Sequence, residues 1–110
     1  MLVVAVAMAL SGSPAADLRV TVWPQGRAGP AHMSVLHCPS VEAACRKLGA
    51  VPGNPFAPTP TGIACTQIYG GPEVALVVGR FRGRPVWARF HRRDGCGIAR
   101  WNRVAFLFAK

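Results

Sequence analysis

The stretch Glu73-Val-Ala-Leu-Val-Val-Gly-Arg-Phe-Arg-Gly-Arg-Pro-Val-Trp-Ala-Arg-Phe90 decides the fold. Its first part, Glu73 to Val78, is a run of branched and apolar residues that reads as a strand. Its last part, Pro85 to Phe90, alternates. Val86, Ala88 and Phe90 face one way, while Trp87 and Arg89 face the other. Between them Gly79-Arg-Phe-Arg-Gly83 carries glycine at both ends and reads as a turn. Two strands joined this closely are antiparallel, so the fold grows from a hairpin.

Outward from the hairpin the same logic finds more strands. Asp17 to Trp23 and His32 to Cys38 alternate polar and apolar residues and contain β-branched side chains. Pro24 to Pro30 joins them as a loop. Ser40 to Gly49 reads as a short helix, with Ser40 as N-cap, Glu42 in the first turn, Arg46 and Lys47 in the last, and Gly49 as its end. Residues 50–62 hold Pro52, Gly53, Pro55, Pro58, Pro60 and Gly62, too broken for a helix or a central strand. They read as a loop across the surface of one domain, because the pieces on either side are too small to fold alone. Arg103 to Phe108 reads as a last strand. The expectation is an α+β domain: a five-stranded antiparallel sheet, one or two short helices and two disulfides.

Composition sets the boundaries. The chain has 110 residues, 51% of them apolar, with 12 Gly and 10 Pro. That excludes a coiled coil, a large multidomain enzyme and a disordered polycation. No apolar run approaches the ~18 residues of a membrane span, so no membrane partner is expected. Residues 1–15 read as a signal peptide: Leu2 to Leu10 is uninterrupted apolar sequence, and Ser13 and Ala15 fit cleavage after Ala15. No Lys or Arg precedes that run. Residues 16–110 then form the mature domain, secreted to the extracellular side.

Export changes the meaning of the cysteines. Cys38, Cys45, Cys65 and Cys96 allow three pairings, and their order favours Cys38–Cys45 with Cys65–Cys96. Chain-entropy arithmetic gives ~2–2.5 kcal/mol for the short ring and ~3.5–4 kcal/mol for the long one. Four paired cysteines leave no thiolate nucleophile. The carboxylates Asp17, Glu42, Glu73 and Asp94 form no close pair in sequence. No phosphate-binding loop or zinc spacing occurs, so neither enzyme activity, nor a cofactor, nor a metal is expected.

Thirteen Lys and Arg against four Asp and Glu give a formal net charge of +9. Arg80, Arg82, Arg84, Arg89, Arg92, Arg93, Arg100 and Arg103 crowd the C-terminal third, with Trp87, Phe90 and Trp101 among them. Such a stripe suits an anionic polymer or single-stranded nucleic acid, but charge alone gives no specific nucleic-acid recognition. A solvated positive face is the simpler reading.

The segment Cys65-Thr-Gln-Ile-Tyr-Gly-Gly-Pro72 is more specific. A disulfide at one end and Gly70-Gly71-Pro72 at the other restrain the residues between in an extended form. A peptide restrained before binding loses less entropy in a protease cleft and offers its main chain to an enzyme strand. This segment, with Cys45-Arg-Lys-Leu48 before it and Cys96-Gly-Ile-Ala-Arg-Trp101 after it, resembles the subtilisin inhibitor-like family of secreted actinobacterial proteins. The likeness runs from Leu18 to Phe108. It implies a five-stranded sheet with two short helices, a homodimer through the sheet, and inhibition of extracellular serine proteases of the subtilisin type. It further implies a reactive bond at Gln67–Ile68, with Ala64, Cys65, Thr66, Tyr69 and Gly70 lying against the protease. Gln67 is neither bulky and apolar nor basic, which points to an unusual target range.

Overall fold

The computed structural model describes residues 14–108; the expected signal peptide lies almost wholly outside them. Four strands form one antiparallel sheet: β1 (Ala16–Trp23), β2 (His32–Cys38), β3 (Val74–Phe81) and β4 (Arg84–His91). Their order is β2-β1-β3-β4, so the hairpin strand β4 is an edge. Helix α1 (Ala43–Ala50) follows β2, and helix α2 (Gly95–Arg103) follows β4.

Alternation puts one apolar row from each strand on the same face. Leu18, Gly79 and Val86 lie side by side across β1, β3 and β4, and Val20, Val77 and Ala88 form the next row. Ala16, Leu18 and Val20 of β1 are all nearly inaccessible, as are Ala75, Val77 and Phe90. Leu48 of α1, Phe56 and the residues Trp101, Val104 and Leu107 cover this face. The second face of the sheet carries Arg19, Thr21, Met33, Val35, Val78, Trp87 and Arg89, with no layer over it among the described residues.

Among the described residues there is no fifth strand. Arg103–Phe108, expected as a strand, is the end of α2 followed by a short 3-10 turn at Ala105–Leu107. Two features decide against a strand. Asp94 caps the helix, its Oδ1 accepting the Gly97 N–H at 2.8 Å. The buried residues Gly97, Trp101, Val104 and Leu107 recur every three or four positions, which is helical spacing. Phe108 then packs against Trp101 at 4.5 Å and Phe90 at 5.3 Å between ring centres.

Three local expectations also shift. Helix α1 starts at Ala43 with Glu42 as N-cap and no side-chain cap, and it runs one residue past Gly49. Ser40 instead accepts the Glu42 N–H outside the helix at 3.2 Å. The hairpin turn is only Arg82-Gly83, with φ of 52° and 80°. Two positive φ values in a two-residue loop give the turn whose twist matches paired strands. Gly79 therefore lies inside β3, where a Cβ would overlap the Asp17 carbonyl of β1. Its φ of +149° is also one that side-chain-bearing residues rarely take.

Residues 50–62 do cross the surface, and arginines pin them. Arg100 donates through Nε to Ala57 O at 2.8 Å, through Nη2 to Phe56 O at 3.4 Å and through Nη1 to Arg89 O. Arg103 donates to Pro52 O at 2.5 Å. Phe56, so held, meets the Phe81 ring edge-on at 5.4 Å. Both disulfides form in the favoured pairing, Cys38–Cys45 and Cys65–Cys96, with Cα separations of 5.7 and 5.3 Å. Among the described residues no helix is long and apolar enough to cross a membrane.

Gly79→Ala should part β1 from β3 in the middle of the sheet. The expected loss is about 3 kcal/mol or more, read from urea unfolding. Arg100→Met keeps the bulk but abandons three carbonyls, and should cost about 2 kcal/mol by the same measurement.

Candidate functional site

From Ile63 to Gly71 the chain runs without a turn or a bend. It lies beside the end of β4 and the first turn of α2. Two sets of contacts fasten it. At the near end Cys65 is bonded to Cys96 of α2, and Thr66 O accepts the Gly95 N–H at 2.9 Å. The Thr66 side chain fills the place where a Cβ on Gly95 would stand. At the far end Gly70 N–H donates to Arg92 O at 2.7 Å, and Arg92 Nε returns a bond to Gly70 O at 3.3 Å. A Cβ on Gly70 would meet the Ile98 side chain at 2.8 Å, so glycine permits this close approach.

Between the fastenings Gln67, Ile68 and Tyr69 make no main-chain hydrogen bond among the described residues. All three are exposed: Ile68 is 59% and Tyr69 66% accessible. The Gln67 side chain bends back, its Nε2 donating to Cys65 O at 3.3 Å. Ala64 and Thr66 are exposed, while Cys65 and Gly70 are half-buried. The structure thus sets the segment out as two anchors, Cys65 and Thr66, three free residues, and one anchor, Gly70. Each bracing hydrogen bond contributes about 1 kcal/mol net, and the disulfide removes freedom from the chain on the cysteine side.

Arg92 is the part that sequence reading missed. It was legible only as one more surface charge. Besides Gly70 it faces Glu73, with Nε to Oε1 at 3.8 Å, and Asn102, with Nη1 to Oδ1 at 3.4 Å. Its guanidinium also stands 5.8 Å from the Trp101 ring centre. One side chain therefore ties the loop to the start of β3 and to α2. The only hint in the sequence was Gly95-Cys96-Gly97: two glycines around a cysteine mark a backbone that others approach closely. His91 Cε1 and Nδ1 occupy the space where a Gly97 Cβ would be.

The aromatic part of the stripe does not survive folding as a surface, whereas Arg80, Arg82, Arg84, Arg89, Arg93 and Arg103 stay exposed. Phe90 is fully buried and Trp101 is 8% accessible, leaving Trp87 alone exposed at 64%. Arg80, Arg92, Arg100 and Arg103 are engaged with carbonyls. A row of stacking platforms for bases is thus not displayed among the described residues. Cys65 Sγ, Cys96 Sγ and an Asp94 carboxylate oxygen lie within 4.8 Å of one another, but both sulfurs are in a disulfide and offer no thiolate.

Acidity should loosen the support under the loop. His91 Nδ1 accepts the Arg93 N–H at 3.1 Å, a bond available only to the neutral ring. Burial, then the Arg93 charge, lowers its pKa from the ordinary 6.5; Asp94 opposes this and Arg100 adds to it. The unfolded chain then binds the proton more readily than the folded one. The His91 contribution is complete above pH 6.5 and is lost as pH falls below that value toward the lowered one. Melting temperature should drop more steeply between pH 7 and 5 in the native protein than in His91→Gln. Equal slopes would remove His91 from this role.

The chain matches no known family, no curated protein and no solved structure, so what the loop does is read from its own geometry.

Proposed function

We propose that the protein is a secreted inhibitor of serine endopeptidases of the subtilisin type, with Gln67–Ile68 as its reactive bond. The observation that carries this reading is the exposed Gln67-Ile68-Tyr69 span, held at both ends and unpaired along its own main chain. A protease cleft binds an extended strand through main-chain hydrogen bonds and one side-chain pocket. This span offers both, with its ordering entropy already lost.

Resistance to digestion follows from the same contacts. The protease serine attacks the Gln67 carbonyl, and the C–N bond to Ile68 breaks to give an acyl-enzyme and a free Ile68 amine. The amine stays close, because Gly70 is bonded to Arg92 two residues on. The acyl side stays close, because Thr66 is bonded to Gly95 and Cys65 to Cys96. High effective concentration lets the amine re-form the bond faster than water completes hydrolysis. The enzyme brings the nucleophile and oxyanion hole; the inhibitor brings restraint. The disulfides agree with an oxidising, extracellular location.

The same reading includes a homodimer. The second sheet face presents Met33 and Val35, 65% and 70% accessible. Beside Val35 is a shallow hollow of about 320 Å³ lined also by Arg19 and Val78. Val35→Glu should return the protein to monomers in sedimentation velocity.

Titrating subtilisin should give stoichiometric, slowly reversible inhibition, with the slow product cut after Gln67. Absence of inhibition across a panel of serine proteases, or a cut elsewhere, overturns the reading. Gln67→Lys should move preference toward trypsin-like enzymes by tenfold or more, because a lysine pairs with their pocket carboxylate. Replacing Cys65 and Cys96 together by serine should turn the inhibitor into a substrate, seen as rapid loss of intact chain.

A further inference from the structure

We propose that the free edge of β4, at its Arg84–Trp87 end, binds an extended acidic peptide that adds a strand to the sheet. An open groove of about 710 Å³ runs along this edge. Phe56, Phe81 and Val86, each nearly buried, form its apolar floor, and Asn54 stands across from them. Arg82 and Arg84 are exposed along it, and no carboxylate among the described residues lines it.

The backbone favours a peptide. Arg82-Gly83 is a two-residue turn, so Phe81 and Arg84 are a hydrogen-bonded pair, and so in alternation are Gly79 with Val86 and Val77 with Ala88. The N–H and C=O groups of residues 85, 87 and 89 therefore point away from β3. Pro85 has no N–H to offer there, as edge strands commonly arrange. The Arg89 carbonyl is taken by Arg100. The N–H and C=O of Trp87 have no such partner among the described residues. They face the groove side of an edge strand, the template used in strand addition.

Charge and ring geometry choose the peptide's chemistry. A chain of net charge +9 repels a second copy from an arginine-lined groove. Single-stranded nucleic acid would need open aromatic faces. Here the Arg89 guanidinium sits 5.2 Å from the Trp87 ring centre, Arg82 sits 4.9 Å from that of Phe81, and Phe56 meets Phe81 edge-on. A polypeptide with alternating apolar and acidic residues fits better: an apolar side chain over the floor, carboxylates within reach of Arg82 and Arg84. Arg92 lies five positions beyond Trp87, on the order of 15–20 Å along an extended chain. The groove and the 66–70 loop are therefore separate sites, and no protease enters the test.

The probe is a capped, fluorescein-labelled octapeptide alternating glutamate and valine, titrated by anisotropy against the full chain. Binding is expected, with a shifted and exchange-protected Trp87 amide in NMR spectra. Arg84→Glu should weaken it at least tenfold. A lysine–valine peptide should not bind, nor should the glutamate–valine peptide N-methylated at alternate residues. Failure of the first peptide to bind overturns the proposal. So does equal binding by the N-methylated one, which needs no protein variant, or tighter binding of an oligothymidylate octamer at the same groove.

Discussion

The fastening of the 65–70 segment to residues 92–96 is the constraint on which the molecule turns. Without it, the nine residues from Ile63 to Gly71 would be a loop with no secondary structure and few buried side chains. A covalent bond supplies one end of the fastening and a pair of hydrogen bonds supplies the other. The two ends differ in kind, and this matters. The sulfur bridge does not depend on pH, whereas the Gly70–Arg92 end hangs on a strand exit whose geometry includes a neutral histidine. Restraint is therefore permanent on one side of Gln67–Ile68 and conditional on the other.

What holds residues 92–96 in turn is the helix they open. Asp94 caps α2, Ile98 fills the space above Gly70, and Trp101, Val104 and Leu107 press the helix onto the sheet. The sheet keeps its register because Gly79 lets β1 and β3 come together where Leu18 crosses. Loop position is thus a consequence of core packing carried through one short helix. A rigid scaffold supporting an unpaired exposed span is the ordinary way for a small fold to display a peptide.

Most of this was legible in the residues, and the failures are instructive. β1, β2 and β4 follow from period-two alternation and β3 from its branched apolar run, and the buried faces of β1 and β4 fall on the side that the alternation assigns. Cysteine order favours the pairing that is found. The span after Cys65 is exposed, as its composition suggests. The C-terminal segment misleads because Val104 to Phe108 is a short, wholly apolar run, while the helical spacing becomes visible only when Gly97 and Trp101 are included. The period must be judged over a window longer than the element's tail. Gly79 and the arginines mislead for another reason. Whether a glycine serves a turn or a close approach, and whether a guanidinium meets solvent or a carbonyl, depends on partners far away in sequence. Arg100 reaches Ala57, and Arg92 reaches Gly70; no local pattern encodes such pairs.

The arginines carry one more consequence. Guanidinium groups donate in several directions from a planar fork, so a single arginine can satisfy carbonyls on separate segments. Arg100 does this for three residues in two segments, and Arg92 ties a loop, a strand start and a helix. Lysine, with a point charge, would serve less well at either place. In a chain with few carboxylates, carbonyl oxygens become the main acceptors for positive charge. Using arginines this way has two effects at once: it knits irregular segments to the sheet, and it leaves the charges without neutralising partners. The positive field therefore persists over the surface even where the side chains are structurally occupied, and it acts on both ends of β4. On the proposed readings, an acidic partner would be drawn toward the hairpin end, and at the other end the field would favour proteases whose clefts are rimmed by negative charge, whatever the side chain at position 67 contributes.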